Sequence, residues 1–296
     1  METTIGASRR PATLDLPAGP VRGGLVVLHG SHADKRSHFL YRHLARLLPP
    51  AGVAVLRYDR RPRVDGRDVP LADQAEDAAA AVTVLRRHVG PAPVGLWGFS
   101  QGAWAAAVTA AAHPVDFLIL VGCSGVSPAA QMRYGTAEQL RRHGYGSADV
   151  AELTRLREVA EGFQRGDVPR PTAQAALTAA LSRPWFPLAF LPRELSERPG
   201  TWADMDFDPV PVFARLTGPV LLCYGETDAW IPIEESIAVW RRAARDADLT
   251  VARLPGCDHA PTLGEREELA AVSPRYEAAL LDWLDRWLPA PGAPPA

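Results

Sequence analysis

The chain has 296 residues, 47% of them hydrophobic and 22% charged, with a formal net charge of −2. Such a chain is globular, with room for one large domain or a core carrying an inserted unit, and its near-neutral balance argues against nucleic acid or an anionic membrane as a partner. Arginine supplies nearly all the positive charge, since Lys35 is the only lysine, and this removes Schiff-base chemistry from serious consideration.

Leu25-Val26-Val27-Leu28 reads as a buried strand ending at His29-Gly30-Ser31. Helical spacing covers residues 37–48 and stops at Pro49-Pro50. Val53-Ala54-Val55-Leu56 is the next strand and leads into Arg57-Tyr58-Asp59-Arg60. An alanine-rich helix follows over residues 70–88. Val94-Gly95-Leu96-Trp97 is again apolar and runs into Gly98-Phe99-Ser100-Gln101-Gly102, after which a second alanine-rich helix reaches Ala112. Residues 117–121 form another strand. Continuously apolar strands separated by helices predict an α/β fold, a mostly parallel sheet with helices on both faces.

The strand signal then fades. Residues 133–165 have helical spacing and many charges, and residues 169–192 are rich in proline and aromatics. This predicts a helical cap insertion over 125–216, dividing the core into 1–124 and 217–288. Alternation resumes with a strand at Val220-Leu221-Leu222-Cys223-Tyr224, a helix over 234–245, a strand over 249–254 and a helix over 274–287. The proline-rich tail 289–296 is expected to be disordered.

The pentapeptide at Ser100 has the form G-x-S-x-G. Between a strand and a helix it predicts a sharp turn that exposes a nucleophilic serine. The glycines avoid collisions with the neighbouring strand and helix or accommodate strained backbone. A serine hydroxyl is a poor nucleophile without a base, and the base needs an orienting group. In this architecture the acid and then the histidine follow later strands. Asp228, in Gly225-Glu226-Thr227-Asp228, and His259, in Gly256-Cys257-Asp258-His259, occupy those places. Ser100 is then the nucleophile, His259 the base and Asp228 the group that fixes the imidazole tautomer. Glu226 and Asp258 are the nearest rivals of Asp228. The oxyanion needs two donors: the backbone N–H of Gln101, at a helix N-terminus, and that of Ser31, in the loop after the first buried strand.

In these residues, with Arg57-Tyr58-Asp59-Arg60, the chain resembles the α/β-hydrolase superfamily from about residue 21 to 288, all motifs occurring in the family's order. Asp206-Phe207-Asp208-Pro209-Val210-Pro211 before Gly218-Pro219 resembles the serine-esterase and dipeptidyl-peptidase-like branch that includes dienelactone-hydrolase relatives. The serine nucleophile departs from the aspartate of haloalkane dehalogenases and epoxide hydrolases and from the cysteine of dienelactone hydrolases proper. The short N-terminal part implies that the family's first strands are missing or reduced to residues 12–16.

The resemblance implies a serine hydrolase of small or medium carboxylic esters or thioesters, with a small-molecule substrate and no metal or cofactor. Non-hydrolytic chemistry on the same fold (acyl transfer, elimination, carbon–carbon cleavage or cyclisation) and ligand binding without turnover remain alternatives. His29, Gly30, Trp185, Phe186, Trp202 and Trp230 are expected to line the substrate pocket, with Phe190 a further aromatic candidate. His29 has a second reading, as a structural residue shaping the oxyanion loop. His32, His38, His43, His88, His113 and His143 read as surface or cap residues, with His32 within reach of the pocket mouth. Cys123, Cys223 and Cys257 form no disulfide framework. No apolar run follows Arg9-Arg10, and no stretch approaches the ~20 apolar residues that span a bilayer, so a cytoplasmic protein is expected. The sequence leaves a homodimer open.

Overall fold

The computed structural model describes residues 1–31, 35–264 and 266–288. The expectations for His32 and for the tail from 289 lie outside them. Among these residues one sheet holds β1 (Glu2–Ile5), β2 (Arg10–Asp15), β3 (Gly23–Leu28), β4 (Val53–Tyr58), β5 (Val94–Phe99), β6 (Leu118–Val121), β7 (Gly218–Gly225) and β8 (Ala247–Leu254). Their spatial order is β1-β2-β4-β3-β5-β6-β7-β8. β1 and β2 pair antiparallel, as do β2 and β4, and the remaining pairs are parallel. The helices are α1 (Phe39–Leu47), α2 (Leu71–Val89), α3 (Gln101–Ala112), α4 (Pro128–Arg142), α5 (Ser147–Arg165), α6 (Arg170–Ala180), α7 (Val210–Phe213), α8 (Ile233–Ala243) and α9 (Pro274–Trp287). None is long and apolar enough to cross a membrane.

The pleat explains the unbroken apolar runs. In β3, Leu25 and Val27 join the layer that contains Tyr41 of α1 and Leu280 of α9, while Val26 and Leu28 join the layer containing Leu85 of α2 and Trp240 of α8. Both faces are covered, so no position of β3 can be polar. The first strands are present, against the expectation that they are missing or reduced to 12–16. They form a half-exposed edge hairpin in which Ile5, Ala12 and Leu14 are the buried apolar residues. Three such residues among polar neighbours leave little hydrophobic signal.

β3 continues through α1 to β4 on one side, and β5 continues through α3 to β6 on the other. Adjacent strands with diverging connections open a crevice at their carboxyl ends, where open α/β sheets place ligands. Between β6 and β7 lies a helical segment, α4 to α7, with its own apolar core that includes Leu153, Phe163, Leu177, Trp185 and Phe186. The continuous helical spacing at 133–165 is interrupted at 143–146, where Gly144 has φ +81°.

Candidate active site

Ser100 stands between β5 and α3 with φ 53° and ψ −119°. The strained residue of the pentapeptide is therefore the serine itself. The glycines serve close approach. A Cβ on Gly98 would run into the Gly102 carbonyl oxygen and stand 2.6 Å from the Ala103 Cα, and one on Gly102 would stand 2.7 Å from the carbonyl oxygens of Leu28 and His29. The N-terminus of α3 is thus pressed onto the end of β3. This brings the Gln101 N–H beside the loop that carries Ser31, whose neighbour Gly30 gives its N–H to the Tyr41 hydroxyl at 3.2 Å.

The residues expected to be the acid and the base follow the last two strands, Asp228 after β7 and His259 after β8. A Cβ on Gly225 would overlap the Cys257 and Asp258 carbonyl oxygens, so the ends of β7 and β8 lie in contact. Thr227 reinforces this by donating its N–H (3.0 Å) and hydroxyl (2.7 Å) to the Cys257 carbonyl. Across this junction His259 Nδ1 lies 2.9 Å from Asp228 Oδ2. A carboxylate only accepts, so Nδ1 carries the hydrogen and Nε2 is the free lone pair. The other Asp228 oxygen accepts the Trp230 N–H at 2.7 Å, and the side chain is fully buried. Of the rivals, Glu226 is exposed, and Asp258 accepts from the Ala229 N–H at 3.4 Å. Burial alone would lower the pKa of His259, but the charge and hydrogen bond of Asp228, with the charge of Asp258, hold it above its ordinary value.

Ser100 borders two cavities. One, of about 410 Å³, runs under the helical segment past Gln101, Trp104, Trp202, Arg157 and Glu161. The other, of about 490 Å³, is bordered by His259, Gly30, His38, Trp230 and Glu267. Ser31, Gln131, Met132 and Phe190 border both. Phe190 holds a left-handed backbone, φ 49°, and its ring meets Trp230 edge-on at 4.6 Å.

Three pocket expectations are corrected. Trp185 and Phe186 are buried in the core of the helical segment and border neither cavity, because their neighbours in three dimensions are Leu153, Leu177 and Phe163. His29 is also buried. Its Nε2 donates to the Tyr58 carbonyl at 2.5 Å, and its ring lies edge-on to Tyr58 and Tyr41, so it braces the loop instead of lining it. His43, read as a surface residue, is buried with Nε2 2.7 Å from Glu277, while His38 borders the second cavity.

Residues missed by sequence reasoning form the roof and one wall. Glu161 is surrounded by guanidinium groups, Arg133 at 3.3 Å, Arg157 at 3.6 Å and Arg165 at 3.9 Å. Burial raises the Glu161 pKa against these charges and pushes Arg157 down to about 10 against the charge of Glu161. The available signal was spacing: Leu153, Arg157 and Glu161 are four apart, which places two charges on an apolar helix face. On the wall, Asp68 accepts from Gln101 Nε2 (2.8 Å) and Arg60 (3.0 Å).

A profile described as the alpha/beta hydrolase family matches residues 25–272. The chain belongs to the alpha/beta hydrolase family. Thiohydrolase apmlB of Arthrinium phaeospermum is 35% identical to this chain over 96 residues, 30% of this chain and 31% of that protein. A structure of DcsB in complex with its substrate analogue has a TM-score of 0.59 at 16% identity, covering 98% of this chain and 99% of that one. Proline iminopeptidase of Mycobacterium smegmatis gives 0.59 at 17% identity over 97% and 98%. The esterase EaEST of Exiguobacterium antarcticum gives 0.55 at 17% over 96% and 100%. At these identities the structural likeness is one of fold. Of the stretch 206–211, residues 206–209 lead into α7, which begins at Val210, and Asp206 holds Arg165 through hydrogen bonds of 2.6 and 2.7 Å.

Proposed function

We propose that the protein is a serine hydrolase that cleaves a small or medium carboxylic ester or thioester through an acyl-enzyme, with no metal or cofactor. The observation that carries this reading is the 2.9 Å contact between His259 Nδ1 and Asp228 Oδ2. It commits Nε2 to act as a base in a cavity that Ser100 also borders. Membership of the family supports hydrolysis, and the name of the thiohydrolase relative supports a thioester among the substrates.

Ser100 attacks the acyl carbonyl as His259 Nε2 takes its proton, and Asp228 stabilises the imidazolium. The carbonyl oxygen becomes an oxyanion, held by the backbone N–H groups of Gln101 and Ser31. His259 then protonates the leaving group, which must therefore lie on the His259 side, in the second cavity. The acyl group occupies the cavity past Gln101. Water, activated by the same imidazole, releases the acid. Residues 128–213 act as a cap over the acyl side.

Treatment with a fluorophosphonate probe tests the assignment. One adduct on Ser100 that is lost in Ser100→Ala and in His259→Ala is expected. Labelling that persists in Ser100→Ala overturns it.

A further inference from the structure

The roof of the acyl cavity contains polar atoms that the fold leaves unsatisfied. Glu161 borders this cavity with a side chain 3% exposed, and neither carboxylate oxygen has a hydrogen-bond partner among the described residues. The Nε of Arg157, a side chain also 3% exposed, and the Nε of Arg133 are likewise buried without one. The guanidinium groups balance the charge of Glu161 but stand outside hydrogen-bond geometry. Arg157 is held in place by donating Nη1 to the Ala189 carbonyl at 2.7 Å. Buried polar groups without partners are costly, so their persistence at a cavity wall points to a ligand that completes them.

The orphans are of two kinds, acceptors on Glu161 and a donor on Arg157. A carboxylate ligand would meet the charge of Glu161, and an ammonium ligand would meet Arg157 and Arg133. A neutral group that both donates and accepts satisfies both kinds, and an alcohol hydroxyl is the simplest. The rest of the wall is largely apolar, with Trp104, Ala160, Leu195 and Trp202 among its residues.

We infer that Glu161 and Arg157 form a hydroxyl-recognition subsite, and that the substrate is a hydroxyacyl ester or thioester whose hydroxyl lies away from the scissile carbonyl. This rests on the proposed acyl-enzyme reading, which places the acyl group in that cavity.

The test compares a chain-length series of ω-hydroxyacyl p-nitrophenyl esters with the matching unsubstituted acyl esters. Turnover is measured on the wild-type protein and Glu161→Gln, and binding by calorimetry on Ser100→Ala. A buried hydrogen bond to a charged group predicts a preference of roughly ten- to a hundred-fold in kcat/KM for the hydroxyacyl ester at one chain length, reduced in Glu161→Gln while fluorophosphonate labelling of Ser100 continues. Equal turnover and equal binding of both series at every length would mean that only water fills the roof, and would overturn the subsite while leaving the hydrolase. Hydroxyl-dependent binding to Ser100→Ala with no turnover by the wild type supports the subsite and overturns ester hydrolysis.

Discussion

Gly122 leaves the space that the His259 imidazole fills: a Cβ there would stand 3.0 Å from Cε1 and 3.2 Å from Nδ1. The residue follows β6 directly, has φ +61°, and donates its N–H to the Cys223 carbonyl at 2.9 Å. Its neighbour Val121 accepts the Ser100 N–H at 2.9 Å. One dipeptide therefore ties the serine turn to the strand that leads to Asp228, while its missing side chain makes room for the His259 imidazole.

Gly122→Ala tests this arrangement. The left-handed backbone costs an alanine about 1–2 kcal/mol, and the methyl group displaces the imidazole by tenths of an ångström. A folded variant with kcat lowered by up to ~10² is expected, because small misplacements of a catalytic group are expensive. Unfolding curves together with kcat on a p-nitrophenyl ester check it. A destabilised variant with wild-type kcat would show that the imidazole tolerates the displacement.

Asp228→Asn separates charge from burial. As the proposed base, His259 must be neutral to act in the native protein, so kcat/KM should fall as pH drops through a pKa held above the ordinary histidine value. With the charge removed, burial remains and lowers that pKa. The acid limb should move to lower pH, and the plateau should fall by ~10⁴ because the tautomer is no longer fixed. Stability follows the same linkage. A raised folded pKa contributes stability fully present below the unfolded value, ~6.5, and lost as pH rises through the folded value. The difference in unfolding free energy between wild type and Asp228→Asn should therefore be larger at pH 5 than at pH 9.

The proposed triad could be read from the sequence because each of its positions depends on a local rule: a serine between strand and helix, an acid and a histidine each just after a later strand. Pocket membership has no such rule. Trp185 and Trp202 both lie in the expected helical insertion, and only packing decides that Trp185 joins the apolar core with Leu153 and Leu177 while Trp202 borders the same cavity as Ser100. Arg157 and Glu161 look like a solvated i, i+4 pair until the neighbouring apolar positions are counted.

Trp185→Ala and Trp202→Ala should part accordingly. Trp185→Ala removes the centre of the helical segment's core and should cost about 3–5 kcal/mol, with KM little changed at temperatures where the protein is folded. Trp202→Ala should leave stability nearly unchanged and raise KM for acyl esters. Thermal denaturation and steady-state kinetics on both variants decide it. A KM effect confined to Trp185→Ala would reverse the assignment.

Asp68 links three parts of the site, and its variants should distinguish charge from shape. Its carboxylate accepts from Gln101 Nε2 at 2.8 Å, Arg60 at 3.0 Å and the Val69 N–H at 3.0 Å. Its own N–H donates to the Thr201 carbonyl at 2.9 Å, next to Trp202. The Arg60 side chain is 5% exposed, so removing the facing charge destabilises the protein in either variant, by about 3–5 kcal/mol when the partner is truncated. Gln101 responds differently to the two. Its Oε1 is buried without a hydrogen-bond partner, so in Asp68→Asn a flip of the Gln101 amide lets Oε1 accept from the new amide and keeps the residue in place. In Asp68→Ala there is nothing to flip toward, and the backbone N–H proposed to hold the oxyanion loses its anchor. Asp68→Asn should keep kcat within a few-fold while lowering Tm, whereas Asp68→Ala should lower both, with kcat falling toward the ~10²–10³ lost when an oxyanion donor is removed. Equal kcat in the two variants would show that the Gln101 side chain has no part in holding the donor.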